Sequence, residues 1–107
     1  MKRFGSIIGI HADKLEAYKH LHANTWPEVL EILQASNIRN YSIYHKDGLL
    51  FSYYEYIGTD YAKDMAQMAT YPTIQDWWTI CNPCQKPLDS RAEGEWWSEM
   101  EEVFHMD

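Results

Sequence analysis

Positive charge is scarce in this chain. It carries 9 Lys and Arg against 16 Asp and Glu, a formal net charge of −7, and no run of basic residues. Phosphate backbones are bound by basic surface, so nucleic acid is set aside as a partner. Long apolar runs are missing too. Nothing approaches the roughly 20 residues that span a bilayer, and no membrane partner is expected. The start, Met1-Lys2-Arg3-Phe4-Gly5, lacks the apolar stretch and cleavage site of a secretory signal, so the expected location is the cytoplasm. The five glycines form no phosphate-cradling loop, and there is no nucleophile elbow. Cysteine appears twice, as Cys81-Asn82-Pro83-Cys84. That spacing suits a redox pair, half of a zinc site or two reduced structural thiols. The redox motif normally sits early and after a strand, whereas only 23 residues follow Cys84 here. The histidines, at 11, 20, 22, 45 and 105, show no tight ligand spacing, and no metal is expected.

Aromatic residues, by contrast, are abundant: five Trp, eight Tyr and three Phe in 107 residues. Trp and Tyr combine an apolar body with a polar handle. A small domain rich in both suits a cleft for carbohydrate, where rings stack on C–H faces and hydroxyls are hydrogen-bonded. An aromatic core or a dimer interface suits the same composition. The length fits one domain, residues 1–107, around one core.

The segment Tyr18 to Glu28 organises the rest. Leu15, Tyr18, Leu21, Trp26, Val29, Leu30 and Leu33 make a helical apolar stripe, and His22 falls on it, four residues from both Tyr18 and Trp26. An imidazole there either exchanges protons near neutral pH or serves as a hydrogen-bonded core residue. Pro27 kinks or breaks the helix, with Asn24 or Thr25 able to cap a second segment.

Elsewhere, alternation predicts strands over 2–10, 38–45 and 49–57, the last two joined at Lys46-Asp47-Gly48. Gly5 and Gly9 imply close packing against one face of the first strand. Arg39, Tyr41, Ile43 and His45 are expected on one face of the second, and Ile38, Asn40, Ser42 and Tyr44 on the other. Asp13 is expected to cap a helical region reaching about Ser36. Asp60 starts a helix to about Ala69, Pro72 restarts it through Ile74, Trp77, Trp78 and Cys81, and Pro83 ends it. Lys86 to Gly94 reads as an exposed loop, Trp96 and Trp97 as covering a cleft or a partner, and Glu101 to Met106 as the last strand. The carboxylates at Glu55, Asp60, Asp76, Glu93, Glu95, Glu99, Glu101 and Glu102 show no spacing that singles out an acid–base pair.

The order is βαββαβ with the second helix broken, the α+β, ferredoxin-like split βαβ arrangement. Neither face of the sheet is purely polar. Helices cover one face, and a second copy covers the other, which predicts a two-fold homodimer forming a dimeric α/β barrel.

With those elements in place, the chain resembles the L-rhamnose mutarotase family along nearly its whole length. The resemblance is carried by Tyr18 to Glu28 with His22 and Trp26-Pro27-Glu28, by Asn40-Tyr41-Ser42-Ile43-Tyr44 followed by Leu49-Leu50-Phe51, by Trp77-Trp78, and by Glu101-Glu102-Val103-Phe104. It implies a ferredoxin-like dimer that interconverts the α and β anomers of a 6-deoxy-L-sugar without metal or organic cofactor. It implies that His22 is the proton donor and that Tyr18, Tyr41, Trp77 and Trp78 bind the monosaccharide. L-Rhamnose leads and L-fucose competes, since the two differ only in hydroxyl stereochemistry. A non-catalytic sugar-binding dimer and, by fold analogy alone, a small dimeric barrel oxidoreductase are the other readings. Glu95-Trp96-Trp97 and the two cysteines stand outside the family pattern.

Overall fold

The computed structural model describes residues 1–107. Strand β1 (Lys2–Ile10) leads through a 3₁₀ turn at Ala12–Lys14 into helices α1 (Leu15–Ala23) and α2 (Pro27–Ala35). The hairpin β2 (Ile38–Lys46) and β3 (Leu49–Tyr56) follows, then helices α3 (Tyr61–Met68) and α4 (Pro72–Cys81). The short strands β4 (Gln85–Lys86) and β5 (Ser98–Met100) finish the sheet. All pairings are antiparallel, in the order β2-β3-β1, and the far edge of β1 is shared by β4 and β5. This is the ferredoxin-like order, with its fourth strand split in two.

Pro27 breaks the first helix instead of kinking it. It occupies the first turn of α2, where its missing N–H costs nothing. Asn24 and Thr25 do not cap α2. They close the end of α1, Asn24 Nδ2 donating to the His20 carbonyl (2.9 Å) and Thr25 Oγ1 to that of His22 (3.0 Å). Trp26 holds the cap position of α2 without a side-chain bond, and Asp13 lies inside the 3₁₀ turn and caps nothing. Asp60 does cap α3, accepting from the Lys63 N–H.

The core joins sheet and helices on one face. Ile8, Ile10 and Leu50 meet Val29, Ile32 and Ile74, all less than 8% exposed. Each such side chain contributes roughly 1.5–3 kcal/mol of burial. Gly9 faces Lys86 in the ladder, and a Cβ there would lie 2.7 Å from the Lys86 carbonyl oxygen. The close packing expected at the glycines is thus real at Gly9, where it seats β4, and is ordinary contact at Gly5.

Two strands depart from the alternation expected of them. In β2 the register slips between Arg39 and Ser42, and Asn40 takes φ +51°. The bulge ends the simple face assignment: Ile38 pairs with Tyr56 and Ile43 with Ser52, residues of one face of β3. The last strand is Ser98–Met100, paired with Gly5–Ile7, and not Glu101–Met106. Residues 101–107 form no strand, and Gln85–Lys86, outside any expected strand, pairs with β1. No helix is long and apolar enough to cross a membrane.

Candidate active site

A cavity of about 420 Å³ opens between the helix-covered face of the sheet and helices α1, α3 and α4. That lies within the roughly 300–1,000 Å³ usual for small-molecule sites. Tyr18, His22, Tyr41, Trp77 and Trp78 all line it.

The i, i+4 spacing on α1 stacks His22 on Tyr18, ring centroids 4.1 Å apart. Trp77 of α4 meets the imidazole at a tilt, ring centroids 5.3 Å apart, and meets Trp26 edge-on at 5.1 Å. His22 Nδ1 lies 2.9 Å from the Tyr18 backbone carbonyl, an acceptor only. In the neutral ring Nδ1 therefore carries the hydrogen and Nε2 keeps its lone pair. Burial lowers the His22 pKa below the ordinary 6.5, opposed by that backbone bond. No aspartate or glutamate lines the cavity, so His22 is the one group in its wall that exchanges protons near neutral pH.

The bulge in β2 places Tyr41. Asn40 turns its amide to Glu55 Oε1 (2.7 Å), while the next residue, Tyr41, meets Tyr54 at a tilt on the cavity wall, ring centroids 5.2 Å apart. Tyr41 remains 42% exposed, and desolvation at its hydroxyl end raises its pKa to about 12. Trp77 is buried, whereas Trp78 keeps 37% of its surface open at the mouth. The site thus offers flat apolar rings, phenolic hydroxyls and a single imidazole.

Trp96 and Trp97 also line the cavity, as covers for a cleft should. Sequence reasoning missed Gln85. It is buried on β4, and its amide bridges Tyr18 Oη (3.1 Å) and Trp96 Nε1 (2.8 Å). A lone glutamine carries no spacing signal that would have found it.

Cys81 and Cys84 are free thiols in the core cluster. Burial pushes the Cys81 thiol up to about 12, far from a reactive thiolate, and Cys84 Sγ donates to the Ile80 carbonyl. No three His, Cys, Asp or Glu side chains converge as a metal cluster.

Comparison with known proteins gives concordant results. The family model described as L-rhamnose mutarotase matches residues 3–106. The L-rhamnose mutarotase of Bacillus subtilis (strain 168) is 34% identical over 109 residues, covering all of both chains. The L-fucose mutarotase of Xanthomonas campestris pv. campestris is 31% identical, covering 97% of this chain and 87% of that one. Among solved structures, an L-rhamnose mutarotase from Formosa agariphila superposes with a TM-score of 0.77 over the whole of both chains. At 21% identity that likeness speaks for the fold alone.

Proposed function

This chain belongs to the L-rhamnose mutarotase family, and we propose from that premise that it interconverts the α and β pyranose anomers of L-rhamnose, with His22 as the catalytic acid–base. One observation carries the assignment of His22. It is the only near-neutral proton exchanger in the cavity wall, and a backbone carbonyl holds its Nδ1 hydrogen.

The chemistry follows from that tautomer. Nε2 takes the proton of the anomeric hydroxyl. The C1–O5 bond breaks, its electron pair passes to the ring oxygen, and a proton returned there completes the open hydroxy-aldehyde. Rotation about C1–C2 presents the other aldehyde face, and the reverse steps close the ring. Tyr18 and Tyr41 orient the sugar and relay the second proton, while Trp77 and Trp78 cover its C–H faces and exclude water. Positioned acid–base groups contribute about 10²–10⁴-fold, and fixed orientation adds to this. The reaction balances without a redox partner.

The chain acts as one mutarotase-like domain over residues 1–107, a reading that the match at 3–106 supports. It works as a homodimer in the cytoplasm. Two free buried thiols accord with a reducing compartment, and the sheet face opposite the helices, with half-buried Ile7 and Phe51 and exposed Tyr44, accords with a second copy.

The test is saturation-transfer NMR at the anomeric protons of L-rhamnose and L-fucose with catalytic amounts of protein. The expected result is accelerated exchange for L-rhamnose, lost by 10²-fold or more in His22→Ala with sugar binding retained, the order usual for an acid–base group. Exchange of L-fucose alone would move the substrate and keep the reaction. Binding without exchange of either sugar would leave a binding module.

A further inference from the structure

We infer that Gln85, locked by Trp96, is a positioning residue that turns the hydroxyl proton of Tyr18 into the cavity. The Trp96 indole N–H is a donor and never an acceptor. At 2.8 Å from Gln85 it therefore meets the amide oxygen, Oε1. The amide NH₂ is thereby turned to Tyr18 Oη, 3.1 Å away. An amide NH₂ also only donates, so the Tyr18 oxygen accepts there, and its own O–H is not consumed. Gln85 is Tyr18 Oη's one hydrogen-bond partner in the protein. The acceptor for that O–H must come from the occupant of the cavity.

The lock is buried where it matters. Gln85 is 6% exposed and Tyr18 4% exposed, so neither amide nor phenol trades this bond freely for bulk water. Its place comes from the fold: Gln85 pairs with Ile10, one residue on from Gly9, whose missing Cβ admits the β4 backbone. Donation from the amide also polarises the phenol and strengthens its O–H as a donor. On the mutarotase reading, that O–H meets the ring oxygen as the C1–O5 electron pair arrives on it, the point where negative charge develops.

The test reverses the polarity. Gln85→Glu keeps the size but makes both side-chain oxygens acceptors. Trp96 then donates to one and Tyr18 to the other, and the phenolic proton leaves the cavity. Gln85→Met loses both hydrogen bonds but leaves Tyr18 free to donate inward. The expected kcat for anomer exchange falls about 10²-fold in Gln85→Glu, the usual loss of one preorganised donor. It falls by less than tenfold in Gln85→Met. A Gln85→Glu enzyme as active as Gln85→Met would overturn the inference, because a purely structural role responds to lost bonds and not to their direction.

The activity arm rests on the mutarotase reading, so a second arm does not use it. In ¹⁵N-labelled wild-type protein, the Gln85 side-chain amide protons should show NOEs to the Tyr18 ring. In Trp96→Phe the unlocked amide should average over both orientations. Amide protons that face the Trp96 indole in the wild type would sink the inference whatever the protein does to sugars. If the wild type accelerates exchange of no sugar, the mutarotase reading fails and the NOE arm still decides the orientation.

Discussion

If His22 is the acid–base group proposed above, a single proton position on it sets the pH behaviour of the site. Burial is the larger cause of its lowered pKa, and the backbone bond from Nδ1 opposes it only in part. The free base therefore persists in the folded protein below pH 6.5, the ordinary imidazole value. The exchange rate should stay level from pH 7.5 down to 6.5 and fall with a midpoint below 6.5, read from kcat by saturation-transfer NMR. A midpoint at or above 6.5 would contradict the buried neutral base. Stability follows the same sign. The unfolded chain binds the proton first, so the contribution of neutral His22 is complete above about 6.5 and declines as pH falls below it. Among the residues that line the cavity, the pairing of Tyr18 with His22 was legible in the sequence because the i, i+4 period alone brings them together. Trp77 and Trp78 were legible as a pair on their own helix. Gln85 was not, because its role depends on a two-residue strand and a distant indole that no local pattern links.

Small interruptions in the elements do most of the positioning. The bulge at Asn40 is one residue out of step, and because side chains alternate with period two, everything beyond it changes face. Tyr41 lines the cavity beside that step. Deleting Asn40 leaves one residue opposite Tyr54 and should keep Tyr41 on the cavity face in simple register. The expected result is a chain that still folds by circular dichroism and binds the sugar within tenfold of the parent by titration; a larger loss would show that the bulge itself, and not only the face of Tyr41, shapes the site. Asn40→Val keeps the residue but puts a β-branched side chain at φ +51°, a strain on the order of 1–3 kcal/mol, read as a lower melting temperature. Asn40→Gly should not show that loss. The two-residue turn at Asp47-Gly48 was legible because both residues adopt the positive φ that Asp-Gly favours. The bulge was not, because no face of β2 is purely polar and the alternation therefore gives no sign of slipping. The last strand was placed too late for a related reason. Val103, Phe104 and Met106 have the composition of a strand, yet the backbone that pairs with β1 belongs to Ser98–Met100.

Those same three residues frame the molecule as a whole. Val103, Phe104 and Met106 are 87%, 80% and 78% exposed, on a segment attached to the body by Arg3 and Glu102, 3.0 Å apart. A surface ion pair of this kind is worth about 0–1 kcal/mol, too little to hold an apolar arm against water. On the sheet, the outer edge of β2 has no strand beside it, and the face opposite the helices carries Ile7, Phe51 and an exposed Tyr44. An unpaired edge, an uncovered face and an uncovered arm on one small chain are each a liability alone. Two copies related by a two-fold axis cover the face and the arm together, since each then meets its counterpart. The full chain should therefore sediment at twice 12.7 kDa. A chain ending at Met100 keeps every helix and strand and should retain its circular dichroism. Its dimer should weaken at least tenfold in sedimentation equilibrium. A full-length monomer would rule out the second copy. A truncated chain that pairs as tightly as the full one would place the contact on the sheet face alone and leave the arm without a partner.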